Sequence, residues 1–132
     1  MSPEKAVPVV LRQRGAVEVL AFHHPLAGDQ LVKGTIEPGE TPEDGALREV
    51  AEESGISSGR ASGMFGSDTI GGTVWHFVRV AVADLPEAWS FRTEDDGGHD
   101  FAFFWHPLSD TAGEDWHPDF RRALAFIRAA VS

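Results

Sequence analysis

Three glutamates set the chemistry open to this sequence. Glu49, Glu52 and Glu53 follow an i, i+3, i+4 pattern. On a helix, at about 100° per residue, those positions share one face within a single turn. Carboxylates this close repel one another and cost helix stability. An oxygen-only cluster of this kind suits a hard divalent cation, Mg²⁺ or Mn²⁺ as its substitute. Arg48 stands four residues before Glu52 and is its neighbour on such a helix. Residues 34–56 hold seven acids and one base, a net of −6 out of −10 for the chain. Most of the excess negative charge is therefore gathered at one place. The competing reading is a solvated acidic helix face. Against it stands an apolar stripe beside the glutamates, which marks a packed helix.

The helix that must position these residues has both ends marked. Thr41 is an N-cap type, Pro42 fits the first helical position, and Glu43 and Asp44 favour the positive end of the dipole. Gly55 fits a left-handed residue just past the end. Leu47, Val50, Ala51 and Ser54 supply the packing stripe. Upstream, residues 6–14 and 16–23 are two strand candidates joined at Gly15, and Pro8 suggests an edge position for the first. Residues 25–29 read as a loop, followed by short extended pieces at 30–32 and 35–37. Downstream, strands are expected near 61–67, 73–83 and 101–106. The tail from Pro118 to Val131 reads as a second helix, with Phe120, Leu124, Ile127 and Val131 on one side. Strands and helices mix without a regular βαβ alternation. The pattern favours an α+β sandwich with a mixed β-sheet over a doubly wound fold.

The chain has 132 residues, which predicts one domain over 1–132. Cysteine is absent, so a disulfide framework, a thiolate zinc site and a cysteine nucleophile are excluded. Apolar runs fall far short of the ~20 residues that cross a bilayer. The first residues lack a signal-peptide pattern, and a cytoplasmic location is expected. A chain this acidic is a poor binder of nucleic acid polymers and anionic membranes. If it handles phosphates, it needs cations to do so.

The stretch GTIEPGETPEDGALREVAEESGI resembles the Nudix box, Gly-x₅-Glu-x₇-Arg-Glu-U-x-Glu-Glu-x-Gly-U, where U is bulky and aliphatic. Gly34, Glu40, Arg48, Glu49, Val50, Glu52, Glu53, Gly55 and Ile56 fill every fixed position. From average residue usage, a chance match in a chain this long is on the order of 10⁻⁷. The resemblance implies a Nudix-type α/β/α sandwich. It also implies metal-dependent hydrolysis of a nucleoside diphosphate linked to another moiety, such as a nucleotide, nucleotide sugar or dinucleotide. By position it makes Glu52 and Glu53 core metal ligands, Glu49 a further ligand or the base, and the Gly34 carbonyl a backbone ligand. It makes Arg48 the arginine that orients a glutamate, and Glu40 a brace of the loop that can contribute to the metal site. A small-molecule, nucleotide-type substrate is expected, with the protein a monomer or homodimer.

Many members of that family take an extra ligand or base from a later loop. Here the loop 94–100 holds Glu94, Asp95, Asp96 and Asp100, with Asp100 the first choice by position and Glu94 the second by reach. Gly97 and Gly98 are expected to let the loop move, ordering over substrate and metal; a plain polar turn is the competing reading. Lys33, Arg12, Arg14 and Arg79 are candidate phosphate contacts, and Trp75, Phe77, Trp89 and Phe91 candidate stacking partners for a base. Surface cations and core aromatics are the competing readings. The six histidines form no ligand pattern and are expected to be non-catalytic. The family's substrate markers are missing: Gly71 and Gly72 stand where ADP-ribose-type members often carry proline, and the chain has no tyrosine. Two alternatives remain beside hydrolysis. One is a non-catalytic Nudix-fold sensor or regulator, although no box glutamate is lost. The other, isopentenyl-diphosphate isomerisation, calls for a cysteine that is absent.

Overall fold

The strand candidate at 6–14 divides at Val10. The computed structural model, which describes residues 3–94 and 97–131, places β1 at Lys5–Val9 and β2 at Leu11–Arg14. Between them Val10 is buried, and its carbonyl accepts the Leu20 N–H at 2.9 Å. The chain thereby steps from one sheet to another. Next come β3 (Ala16–His24), β4 (Gly28–Gln30), β5 (Gly34–Thr35) and α1 (Pro42–Ser54). They are followed by β6 (Arg60–Ile70), β7 (Thr73–Ala81), β8 (Trp89–Thr93), β9 (His99–Pro107) and α2 (Pro118–Val131).

The architecture is α+β, with two helices and two sheets. The first sheet has the order β5-β1-β7-β6. It is mixed, because β1 pairs with β7 in parallel and the other pairs are antiparallel. The second sheet, β2-β3-β9-β8 with β4 beside β3, is antiparallel throughout. Pro8 lies in β1 beyond Lys5 and Ala6, the residues that β5 covers, so among the described residues no strand runs along that side of it. Strand β8 was not anticipated; its inward residues, Trp89 and Phe91, pack as core aromatics. Trp89 stacks on Phe103 at 5.0 Å between ring centroids.

Two apolar clusters hold the layers together. Val7 and Val9 of β1 join Trp75, Phe77, Phe120, Leu124 and Ile127 on the α2 side. Ala6 joins Ala46, Val50, Val78 and Val80 on the α1 side. Strand β3 divides in the same way, Val19 and Ala21 to one cluster, Leu20 and Phe22 to the other. Burial of both faces explains the imperfect period of two in its sequence.

The buried face of α1 differs from the expected stripe. It comprises Gly45, Ala46, Glu49, Val50, Glu53 and Ser54, while Leu47 and Ala51 are only half-buried. The stripe is rotated toward the glutamates, so two carboxylates lie on the packed side of the helix.

Candidate functional site

The ends of α1 are built as its sequence requires. The Thr41 hydroxyl accepts the Asp44 N–H at 3.1 Å, which satisfies one orphan donor of the first turn. Gly55 adopts φ 80°, and its N–H reaches the Ala51 carbonyl at 3.0 Å. These caps fix the limits of the helix and hence the phase at which its glutamates meet the sheet. The preceding loop is anchored at both ends as well. Gly34 pairs with Ala6, the Ile36 N–H donates to the Glu4 carbonyl at 2.9 Å, and the Glu40 N–H donates to the Glu37 carbonyl at 3.0 Å.

Arg48 ties the loop to the helix. Its Nε and Nη2 donate to the two oxygens of Glu40 at 2.8 and 2.9 Å, a two-pronged pair. Nη2 also donates to the Thr35 carbonyl at 2.9 Å. Nη1 donates to Glu49 at 2.7 Å and to Glu52 at 3.4 Å. The Glu37 N–H adds a further bond to Glu40 at 3.0 Å. Hydrogen bonds from Arg48, then that backbone N–H, hold the Glu40 carboxyl down at a pKa of about 2. The same contacts raise the Arg48 pKa further above its ordinary value, with Glu40 the main cause.

Glu49 goes the other way. Burial pushes its pKa up, and the bond from Arg48 only partly offsets this. The residue is 7% exposed and Glu53 is 8% exposed. The two carboxyls interact directly. Two buried carboxyls in contact need a proton or a cation between them. The Glu52 side chain, by contrast, is 46% exposed.

Gly34 completes this group. A Cβ on residue 34 would stand 1.9 Å from Glu49 Cδ. Only glycine lets the backbone approach the carboxylate so closely. We therefore expect Gly34→Ala to displace Glu49 and lower kcat by about tenfold or more, the cost of a misplaced group. The fold should persist, because the clash is with a side chain; circular dichroism and kinetics on the purified variant check both halves.

The donor set fits a hard divalent cation: carboxylate oxygens, a nearby backbone carbonyl and no sulfur or imidazole. Among the described residues no three His, Asp or Glu side chains already converge on one point. Glu49 is turned to Arg48 and Glu52 is largely in solvent.

The remaining candidates scatter. Glu94 lines a hollow of about 410 Å³ with Ala51, Glu52, Phe91, Arg92 and Thr93. Asp100 pairs with Arg92 across β8 and β9, with an exposed ion pair at 3.6 Å. Phe101, its neighbour, belongs to the α1-side cluster, so alternation turns Asp100 to the far face. Of the two, Glu94 is the one placed beside α1. Asp95 and Asp96 lie outside the described residues. Arg12 donates to Glu18 at 2.6 Å and to both oxygens of Glu87, and stacks over Trp105 at 4.4 Å. Arg14 pairs with Glu87 as well, and Arg79 lies exposed near Phe65. Trp75 is 2% exposed and packs against Phe120. The Lys33 ammonium lies 4.8 Å from the Trp75 ring centroid.

The histidines have partners that the sequence did not show. His23 meets Asp29, His76 meets Glu4, His117 accepts the Asp119 N–H at the start of α2, and His106 meets the Asp110 carbonyl. The rings of His24 and His99 lie 4.8 Å apart, on strands β3 and β9. Nothing local in the sequence signals that pairing, because it depends on strands far apart in the chain.

Comparison with solved structures places this fold among known hydrolases. A Nudix hydrolase from M. smegmatis is 21% identical, with 98% of this chain and 85% of that chain covered and a TM-score of 0.68. An ADP-ribose pyrophosphatase from Streptococcus suis is 14% identical, with 99% and 92% covered and a TM-score of 0.70. An Ap4A hydrolase from C. elegans is 18% identical, with 97% and 98% covered and a TM-score of 0.68. No curated protein matches the sequence significantly. The NUDIX domain family matches residues 2–125, nearly the whole chain, and the protein belongs to that family.

Proposed function

We propose that the protein, acting as one domain over 1–132, is a divalent-cation-dependent pyrophosphohydrolase. Its substrate would be a nucleoside diphosphate linked to another moiety. The observation that carries this reading is the burial of two carboxyls, Glu49 and Glu53, on the packed face of α1, with Glu49 against Gly34. Apolar packing does not explain two acids there; Arg48 offsets the burial of Glu49 only in part, and a divalent cation would serve both. Two of the structural neighbours are named for ADP-ribose and Ap4A, both nucleotide-type small molecules, which supports the substrate class.

Glu53, Glu52 and Glu49, with the Gly34 carbonyl, would hold Mg²⁺ or Mn²⁺. The bound ion would supply neutralisation of the diphosphate and acidify the attacking water. Arg48 orients Glu49 while remaining anchored to Glu40 and the Thr35 carbonyl. Glu49, its pKa raised by burial, suits the taking of a proton from water. Glu94, beside Glu52, is the alternative base. Water attack at one phosphorus breaks the anhydride and leaves two phosphate-bearing products.

A Mg²⁺-supported screen of nucleotides, nucleotide sugars and dinucleotides tests the reading. At least one class should be cleaved at its anhydride, with new phosphomonoester ends that a phosphatase then releases. Saturable nucleotide binding with no turnover of any class would favour the sensor reading instead.

A further inference from the structure

The chain carries nine arginines but only two lysines, Lys5 and Lys33, and both stand at the same place. Lys5 lies on β1 directly opposite Thr35, and its ammonium donates to the Thr35 hydroxyl at 2.6 Å. Lys33 immediately precedes Gly34, and its ammonium lies 4.8 Å from the Trp75 ring and 5.5 Å from the Phe120 ring. Both side chains are half-buried. Lys33 stands two residues before Thr35, whose hydroxyl Lys5 holds, so both side chains are anchored at one corner of the first sheet. Lys5 opposes the charge of Lys33, and Asp119 and Glu53 favour it.

Two ammonium groups held together in partial burial carry a cost that an anion between them relieves. The arginines nearest in role differ: Arg12 is held by Glu18 and Glu87, and Arg48 by Glu40. Lysine is a compact charge on a flexible stem with three donors, suited to a phosphate whose position varies a little. The location also matters. Lys5 shares its face of β1 with Val7 and Val9, on the α2 side, whereas the Arg48–Glu40 assembly lies on the α1 side. Trp75 and Phe120, under Lys33, belong to the α2 side too. An anion held by the two lysines would therefore sit beside Glu53 but displaced toward the start of α2. A diphosphate held over the α1 carboxylates would leave that second position vacant.

We propose that Lys5 and Lys33 together bind a further phosphoryl group of the substrate, so that the protein prefers substrates with three or more linked phosphates to those with two. This rests on the hydrolase reading above and narrows its substrate class. The competing account is that Lys33 only braces Trp75 and Phe120 by a cation–π contact.

Calorimetric binding of inorganic tripolyphosphate and of pyrophosphate, each with Mg²⁺, separates the two. The parent should bind tripolyphosphate about tenfold or more tightly than pyrophosphate, the scale of a charge-assisted contact. Lys5→Met and Lys33→Met keep the apolar stems and should each reduce that preference; the double variant should abolish it. Lys33→Arg should restore most of what Lys33→Met loses. In turnover, kcat/KM should fall more for a nucleoside triphosphate than for a nucleotide sugar, through KM. No preference in the parent would overturn the proposal. So would equal losses for both ligands, or a lower melting temperature with unchanged binding. Lys5 touches neither ring, so Lys5→Met is informative even if Lys33→Met folds poorly. Loss of the preference without any turnover would uphold the lysine site and reject the hydrolase reading.

Discussion

Glu53→Gln is expected to lower kcat by about 10²-fold or more, comparable to removal of a major electrostatic contribution. The substitution keeps the volume of the side chain and removes one negative charge. Glu53 is 8% exposed and its carboxyl meets that of Glu49. An amide at 53 can donate to the Glu49 carboxylate, so the repulsion between the two acids disappears. The melting temperature should therefore stay close to that of the parent or rise. Stability and activity move in opposite directions only if the acid pair serves function rather than folding. A Glu53→Gln enzyme within about threefold of the parent kcat would show that Glu53 is not a core ligand.

Arg48→Ala should cost both activity and stability. Its guanidinium makes contacts with Glu40, Glu49, Glu52 and the Thr35 carbonyl at once. Truncation leaves Glu40 and Glu49 without their cation and frees the loop from the helix. We expect kcat to fall by about 10- to 100-fold, through misplaced Glu49. Arg48→Lys should recover little, since an ammonium cannot reproduce the two-pronged contact to Glu40. The stability loss has a defined pH dependence. Glu40 has a pKa depressed from 4.5 to about 2, so its contribution is complete above 4.5 and is lost as pH falls toward about 2. Glu49 has a raised pKa, and protonation at low pH relieves its buried charge. Both effects narrow the difference between parent and Arg48→Ala as the solution is acidified. Melting curves across that range check the sign; a difference that widens in acid would remove Glu40 from the account.

The limits of α1 were readable because local chemistry sets them: Thr41, Pro42 and Gly55 act on their own helix. The glutamate spacing was readable for the same reason, as was the apolar side of α2. What escaped depends on partners far along the chain. The division at Val10 is fixed by pairing with β3 and β7, not by any turn residue. Arg12 is held by Glu87, 75 positions away in the chain, a partner that no local pattern signals. Sequence position ranks Asp100 ahead of Glu94, but the register of β8 on β9, which no local pattern shows, pairs Asp100 with Arg92 on the face away from α1. The buried stripe of α1 is rotated from its apolar residues because Glu49 and Glu53 are packed inward; periodicity of hydrophobic residues cannot announce buried acids. Lys5 and Lys33 are 28 positions apart in the chain and are joined only by the pairing of β1 with β5.

The most direct measurement is hydrolysis by metal-stripped protein, on the best substrate of the screen, with Mg²⁺ or Mn²⁺ added back and then removed by excess EDTA. Polyphosphate meets strong repulsion at a segment of net charge −6 until cations fill it. Turnover is expected to be absent without metal, to return with either cation, and to vanish again with chelator. Undiminished turnover in excess EDTA would contradict a metal-dependent mechanism at the α1 carboxylates.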